Sequence, residues 1–308
     1  MTTAIFSANA EKEPDHRESG SEHITTGLIA FATTMCVVQS HPLAHEVAIA
    51  IRAAREAGAT ALQMQGSIKA TKKADGSPVT AGDLAADAIV RHHLTLAFPL
   101  DAILSEEVAD AAADRLGHSR LWIIDPIDGT RDYVSGSGEW AVQVALAING
   151  NLALGILDLP AEGVCLVGVP GHGAWILDAN GQRPLRIDHA NADVLITSLS
   201  KRNQAAVAKV VSALPEFRSL NATSVGVKVW RMISGHAGLY IHPRALAEWD
   251  AAAPAAVLQA VGGTTTDLSG ATLRFNSVSG YCPGVVYSKR PDHTALIARM
   301  AVAGIGLE

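Results

Sequence analysis

One ten-residue run constrains this chain more than any other: Leu121-Trp122-Ile123-Ile124-Asp125-Pro126-Ile127-Asp128-Gly129-Thr130. Its first four residues are bulky, apolar and partly β-branched, which predicts a strand buried on both faces. Pro126 and the Asp128-Gly129 step predict that the strand stops there. Two carboxylates are thus left at the rim of a sheet. Side by side and partly buried, they raise each other's pKa unless a cation neutralises them. An all-oxygen donor set points to Mg²⁺, which keeps water and substrate phosphate in its octahedron. If a helical turn starts at Gly129-Thr130, backbone N–H groups there can cradle an anion. The run therefore predicts a metal-assisted phosphate site. A plain Asp-Gly turn is the bland alternative. The aspartyl-phosphate signature Asp-x-Asp-Gly-Thr is the sharp one, and it does not fit, because two residues rather than one separate these carboxylates.

At 308 residues and 48% hydrophobic, the chain has room for one large or two medium α/β domains with a substantial core. A net charge of −6 without Lys/Arg blocks argues against a nucleic-acid polymer as partner. A small phosphorylated substrate stays compatible. Cys36, Cys165 and Cys282 are scattered and lack metal-ligand spacing, the pattern of free thiols in a reducing cytoplasm. Residues 1–40 read as an extension of uncertain structure, polar and charge-rich up to residue 23. Residues 24–39 are mildly apolar, but an acidic flank is wrong for a signal peptide and the stretch is too short for a membrane span.

From His41 to Gln65, Leu43, Val47, Ile51, Ala54, Gly58 and Leu62 recur at helical spacing. Residues 69–73 predict a short strand or loop. Asp83 marks a helix start, and that helix carries Leu84, Ile89, Leu94 and Leu96 toward the core until Pro99. His92 and His93 read as a solvated pair. Ala102-Ile103-Leu104 predicts a strand ending in Ser105-Glu106-Glu107; if it adjoins the central strand, Glu106 comes beside Asp125 and Asp128. A hairpin follows, residues 140–148 turned by Asn149-Gly150-Asn151 into 152–159, then strands over 164–169, 174–177 and 185–187. An α+β half spans 41–190. Beyond it strand and helix alternate over 191–308: strands at 194–198, 239–241 and 284–288, helices at 204–213, 224–234, 249–261 and 294–303.

Four pieces in order resemble the inositol monophosphatase superfamily: Asp75-Gly76-Ser77-Pro78-Val79-Thr80 with Asp83, Ser105-Glu106-Glu107, Asp125 through Thr130, and Glu248-Trp249-Asp250 with Gly262-Gly263. The Ser-Pro-Val-Thr form and the Ser-Glu-Glu triplet look most like the 3′(2′),5′-bisphosphate nucleotidases of CysQ type. Those remove the 3′-phosphate of adenosine 3′,5′-bisphosphate, a by-product of sulfate assimilation. The resemblance implies a layered α/β/α/β/α sandwich and a cytoplasmic, lithium-sensitive phosphatase with two or three Mg²⁺ per site, as a monomer or homodimer.

Carried over by position, Glu106, Asp125, Asp128 and the Ile127 carbonyl match the family's metal ligands, with Asp250 supplied by the second half. Asp75 matches a group that binds a further metal and, with Thr130, orients the attacking water. Glu106 shares in catalysis, and Gly129 and Thr130 match the phosphate cradle. Ser200, Lys201, Ser224 and Lys228 fall where nucleotidase relatives meet the substrate. Relatives often place an Arg directly after the Leu-Tyr strand, whereas this chain has His242-Pro243-Arg244, so either Arg244 substitutes or the second phosphate is held differently. Inositol, fructose-bisphosphate or histidinol-phosphate phosphatase chemistry and a catalytically silent metal- or nucleotide-binding regulator are the alternatives.

Overall fold

The structure, a computed structural model, describes residues 41–67, 70–73, 78–198 and 204–306. The expectations for residues 1–40, for Asp75 and for Ser200 and Lys201 lie outside the described residues.

Helix α1 (Ala44–Met64) opens the first layer, and its inward face is mostly alanine. Small residues let it lie close to the sheet beneath: a Cβ on Gly58 would fall 2.1 Å from Asp158 Oδ2. Ala61 takes the inward position expected of Leu62, which is exposed. A two-stranded hairpin, β1 (Thr71–Lys72) with β2 (Pro78–Val79), leads into α2 (Ala81–Ala97). Thr80 caps α2 in a reciprocal capping box with Asp83, so Asp83 is the third helical residue rather than the cap. The expectation that Leu84 and Leu96 face the core is wrong, as they are 55% and 76% exposed. The face turned inward runs through Gly82, Asp83, Ala86, Asp87, Val90 and Leu94. Both carboxylates on it are satisfied by buried partners, Asp83 by Thr80 and Asp87 by the Ser105 hydroxyl.

Next come β3 (Ala102–Ser105), a single turn α3 (Ala112–Arg115), β4 (Arg120–Asp128), the short α4 (Thr130–Ser135), β5 (Ala141–Ile148) and β6 (Asn151–Leu159). The sheet is completed by β7 (Val164–Val169), β8 (Gly173–Asp178) and β9 (Gly181–Pro184). Its order is β3-β4-β5-β6-β7-β8-β9, antiparallel throughout except for the parallel β3–β4 pair. Left-handed Asn149 and Gly150 turn the β5–β6 hairpin as expected. The last strand is shifted from the expected 185–187, and Leu185 keeps one bond to the Ala174 carbonyl. Strand β4 does not stop at Pro126. It continues to Asp128 through a bulge, with Asp125 opposite Gln143 and Asp128 opposite Ala141, and the extra residue absorbs a proline that has no N–H to donate.

The second sheet is built from β10 (Val194–Thr197), β11 (Arg218–Asn221), β12 (Leu239–His242), β14 (Thr264–Thr266) and β16 (Val285–Ser288), in the order β11-β10-β12-β16-β14. Between its strands run α5 (Gln204–Ala213), α6 (Val225–Ile233), the short pair β13 (Leu246–Ala247) and β15 (Tyr281–Cys282), α7 (Glu248–Ala260) and, last, α8 (His293–Val302). Helix α7 packs on strands of both sheets. It approaches the first sheet at glycines: a Cβ on Gly155 would lie 2.6 Å from the Ala253 carbonyl, and one on Gly168 2.5 Å from Val257 Cα. The layers are therefore α1/α2, seven strands, α6/α7, five strands and α5/α8, with one apolar core around α7 and another under α5/α8. No helix among the described residues is long and apolar enough to cross a membrane.

Candidate metal centre

Parallel pairing of β3 with β4 sets Ser105 against Ile124, and the Glu106 N–H donates to the Ile124 carbonyl at 3.2 Å. Glu106 is thereby held next to Asp125. The β4 bulge turns Asp125 and Asp128 toward the first turn of α7, where Asp250 sits. One oxygen from each of Asp125, Asp128 and Asp250 lies within 4.8 Å of the others. Glu106 stands at the edge of this trio, and its Oε1 accepts from Lys73 Nζ at 2.8 Å, while Lys73 also reaches Glu107 at 2.7 Å.

Burial, then the charges of Glu106, Asp128 and Asp250, hold the Asp125 carboxyl well above the usual carboxylate range. Asp250 is raised likewise, by burial and by Asp128 and Glu106. Asp128 is raised by burial too, against hydrogen bonds that favour its charged form. Its Oδ2 accepts from Ser224 Oγ at 2.6 Å, the Gly226 N–H at 2.8 Å and Gln143 Nε2 at 2.5 Å. Asp125 Oδ1 accepts the Ile127 N–H at 3.1 Å, while its buried Oδ2 has no partner. Converging buried carboxylates with an orphaned oxygen form a donor set that fits a hard divalent cation.

Beside the trio, Thr130 Oγ1 stands 3.2 Å from both Asp83 Oδ1 and the Ile127 carbonyl. Asp83 Oδ2 is fixed by the Thr80 N–H at 2.8 Å and the Thr80 hydroxyl at 2.5 Å. Burial raises the Asp83 carboxyl against those bonds. Sequence reasoning placed Asp83 at a helix start and at the close of the first family motif, but gave it no role at the site. Its signal was an acid on the inward face of an otherwise apolar helix. Gly129 is left-handed (φ 100°), and a Cβ there would meet the Glu139 carbonyl at 2.8 Å, so the turn into α4 needs glycine.

The residues expected to touch substrate are largely engaged by the protein itself. Ser224 Oγ holds Asp128 and caps α6 at the Val227 N–H. Lys228 is buried, donates to the Thr223 carbonyl at 2.6 Å and lies 4.8 Å over the Tyr240 ring. Burial brings its pKa down to about 8 against the pull of Asp128 and Asp250. His242 Nδ1 is 3.1 Å from the Tyr240 hydroxyl, and its pKa falls to about 4 through burial and the nearby Lys228 and Arg244 charges. Arg244 lies in the exposed loop between β12 and β13.

A five-layered α/β sandwich with carboxylates gathered between its two sheets defines the class. The inositol monophosphatase family profile matches residues 43–303. A 3′-phosphoadenosine 5′-phosphate phosphatase of Mycobacterium bovis is 31% identical over 229 residues, covering 72% of this chain and 82% of that protein. The 3′(2′),5′-bisphosphate nucleotidase CysQ of Escherichia coli K12 is 30% identical over 227 residues, covering 72% and 90%. The crystal structure of CysQ from Bacteroides thetaiotaomicron superposes with a TM-score of 0.66 at 24% identity, over 80% of this chain and 98% of that one. The protein belongs to the inositol monophosphatase family.

Proposed function

We propose that the protein is a Mg²⁺-dependent 3′(2′),5′-bisphosphate nucleotidase that removes the 3′-phosphate of adenosine 3′,5′-bisphosphate. The observation that carries this reading is the convergence of Asp125, Asp128 and Asp250 beside the Thr130–Asp83 pair. The names of the relatives, phosphatases and nucleotidases acting on that class of compound, support the substrate. Asp125, Asp128, Asp250, Glu106 and the Ile127 carbonyl would hold the metal, with Asp75 as a further ligand. A bound divalent cation supplies an acidified water and neutralises phosphate charge.

Thr130 and Asp83 carry the proton traffic. As water attacks phosphorus in line, its proton passes to Thr130 Oγ1 while the Thr130 hydroxyl proton passes to Asp83 Oδ1. Thr80 keeps Asp83 from turning away, and burial suits that carboxyl to hold the proton. Gly129 and Thr130 present the start of α4 to the non-bridging oxygens, and the ribose 3′-oxygen departs on the opposite side as an alkoxide that takes its proton from solvent water. The halves share the work, 41–190 bearing most of the metal ligands and 191–308 facing the nucleotide. Initial-rate phosphate release from adenosine 3′,5′-bisphosphate, inositol 1-phosphate and fructose 1,6-bisphosphate, with Mg²⁺, with EDTA and with lithium added, tests the reading. Preference for the nucleotide with loss in EDTA is expected. Turnover in EDTA, or preference for a sugar phosphate, overturns it.

A further inference from the structure

Gln143 lies on β5, an interior strand of the first sheet, fully buried and directly across the β4–β5 ladder from Asp125. Its side chain nevertheless reaches past Asp125 to Asp128. The oxygen it meets is an acceptor, so the amide must present its nitrogen, and Nε2 donates to Asp128 Oδ2 at 2.5 Å. The orientation leaves Gln143 Oε1 buried without a partner. An interior strand does not need such a residue for packing, since an apolar side chain of equal volume would leave no orphan. The same Asp128 oxygen also takes the Ser224 hydroxyl and the Gly226 N–H. Three donors saturate it.

We infer that Gln143 is a positioning residue that closes one oxygen of Asp128 and so sets the metal preference of the site. The inference rests on the reading of the acidic trio as a metal centre. With Oδ2 filled, Asp128 offers only Oδ1, and Asp125, whose Oδ1 holds the Ile127 N–H, likewise offers one oxygen. Single-oxygen carboxylates suit the compact octahedron of Mg²⁺ or Mn²⁺. Ca²⁺ takes six to eight oxygens at longer distances and favours bidentate carboxylates, which this arrangement denies it. Without Gln143, Oδ2 keeps only the Ser224 hydroxyl and the Gly226 N–H, so the Asp128 carboxylate is held less firmly against the rotation that would let both oxygens chelate.

The test is calorimetric titration of Mn²⁺, Mg²⁺ and Ca²⁺ into the metal-stripped full chain, wild type beside Gln143→Met, a replacement of similar volume with no donor. The variant is expected to bind Mn²⁺ and Mg²⁺ about 10–100-fold more weakly, with Ca²⁺ affinity unchanged or raised. Equal loss for all three ions, or no loss, overturns the assignment, because a merely structural residue would not change the ratio. A wild type that binds none of the ions overturns the metal reading itself. Gln143→Asn keeps an amide in the strand but is one methylene too short to reach Asp128. It is read by the same ratio if Gln143→Met does not fold.

Discussion

Replacing Asp125 by Asn should stabilise the metal-free protein while disabling it. One oxygen each of Asp125, Asp128 and Asp250 lies within 4.8 Å of the others. Two unit charges at that separation repel by roughly 3 kcal/mol in a medium of effective dielectric near 20. Asp125 faces two such neighbours and Glu106 besides. Part of the repulsion is relieved by proton uptake, since Asp125 and Asp250 are both held well above the usual carboxylate range. Asparagine removes its share outright and can donate to the carboxylate it formerly repelled. Where the trio is ionised, a gain of about 2–4 kcal/mol is expected, a rise of roughly 3–6 °C in Tm. The assay is scanning calorimetry at pH 8.5 in EDTA and again in excess Mg²⁺, alongside phosphate release. In Mg²⁺ the gap should close and then reverse: the wild type gains about 4.1 kcal/mol at a metal concentration of 1,000 times Kd, the variant gains little, and its turnover falls by orders of magnitude. An Asn variant that melts below the wild type in EDTA would refute the reasoning, because the acids would then not be strained against one another.

Asp83→Asn leaves the acidic trio in place and, on the proposed mechanism, removes the proton acceptor for Thr130, so kcat should fall about 10²–10⁴-fold, with Mg²⁺ affinity by calorimetry in the wild-type range. Asp158, buried under Gly58 and away from the site, is pushed up to about 7 by burial against the nearby Arg55 charge. The native state therefore keeps a proton that the unfolded chain has released. That contribution is complete below about pH 4 and lost as pH rises through about 7. Asp158→Asn should flatten the loss, gaining up to about 4 kcal/mol over the wild type at pH 9 and little at pH 4, as read by urea unfolding at both. Gly168→Ala drives a methyl to 2.5 Å from Val257 Cα, so α7 must shift. Melting should show a cost of about 1–3 kcal/mol, and because α7 carries Asp250, Mg²⁺ affinity should fall with it.

What the sequence made legible follows from how local each signal is. The apolar run before Asp125 and the Asn149-Gly150 turn are written in adjacent residues, and both form the expected strand and turn, although β4 runs on past Pro126 to Asp128. Strands β11, Arg-Ser-Leu-Asn, and β14, Thr-Thr-Thr, carry no hydrophobic alternation and exist because a neighbouring strand pairs with them. Helix α2 misled for a physical reason: hydropathy assigns leucine inward and carboxylate outward, and at this site the order is inverted. The Thr80–Asp83 capping box accounts for the acid by itself, so nothing local in the sequence marks Asp83 as more than a helix start. Gln143 gave no signal either, since one polar residue in a buried strand acquires meaning only when Asp128 arrives across the bulge.

The placement of Asp250 shows why the site needs the whole fold. Pro254, four residues on in the same helix, has no N–H for the Asp250 carbonyl, so the first turn of α7 lacks one of its own bonds. That turn is held from outside instead. The buried Glu248 carboxylate accepts the N–H groups of Asn276 and Ser277, each at 2.8 Å, and the Glu248 N–H donates to the Gly280 carbonyl. Tyr287 donates to the Ala251 carbonyl at 2.8 Å. The 276–277 segment is clamped in turn by Arg115 from the first half, which reaches the Asn276 side chain and the Ser277 carbonyl while paired with Asp110. The aim of Asp250 is thus set less by its own helix than by a chain of contacts that begins between β3 and β4, the two strands that deliver Glu106, Asp125 and Asp128. Acids distant in sequence thus share one frame, and the contacts that hold the Asp250 turn run back to Arg115.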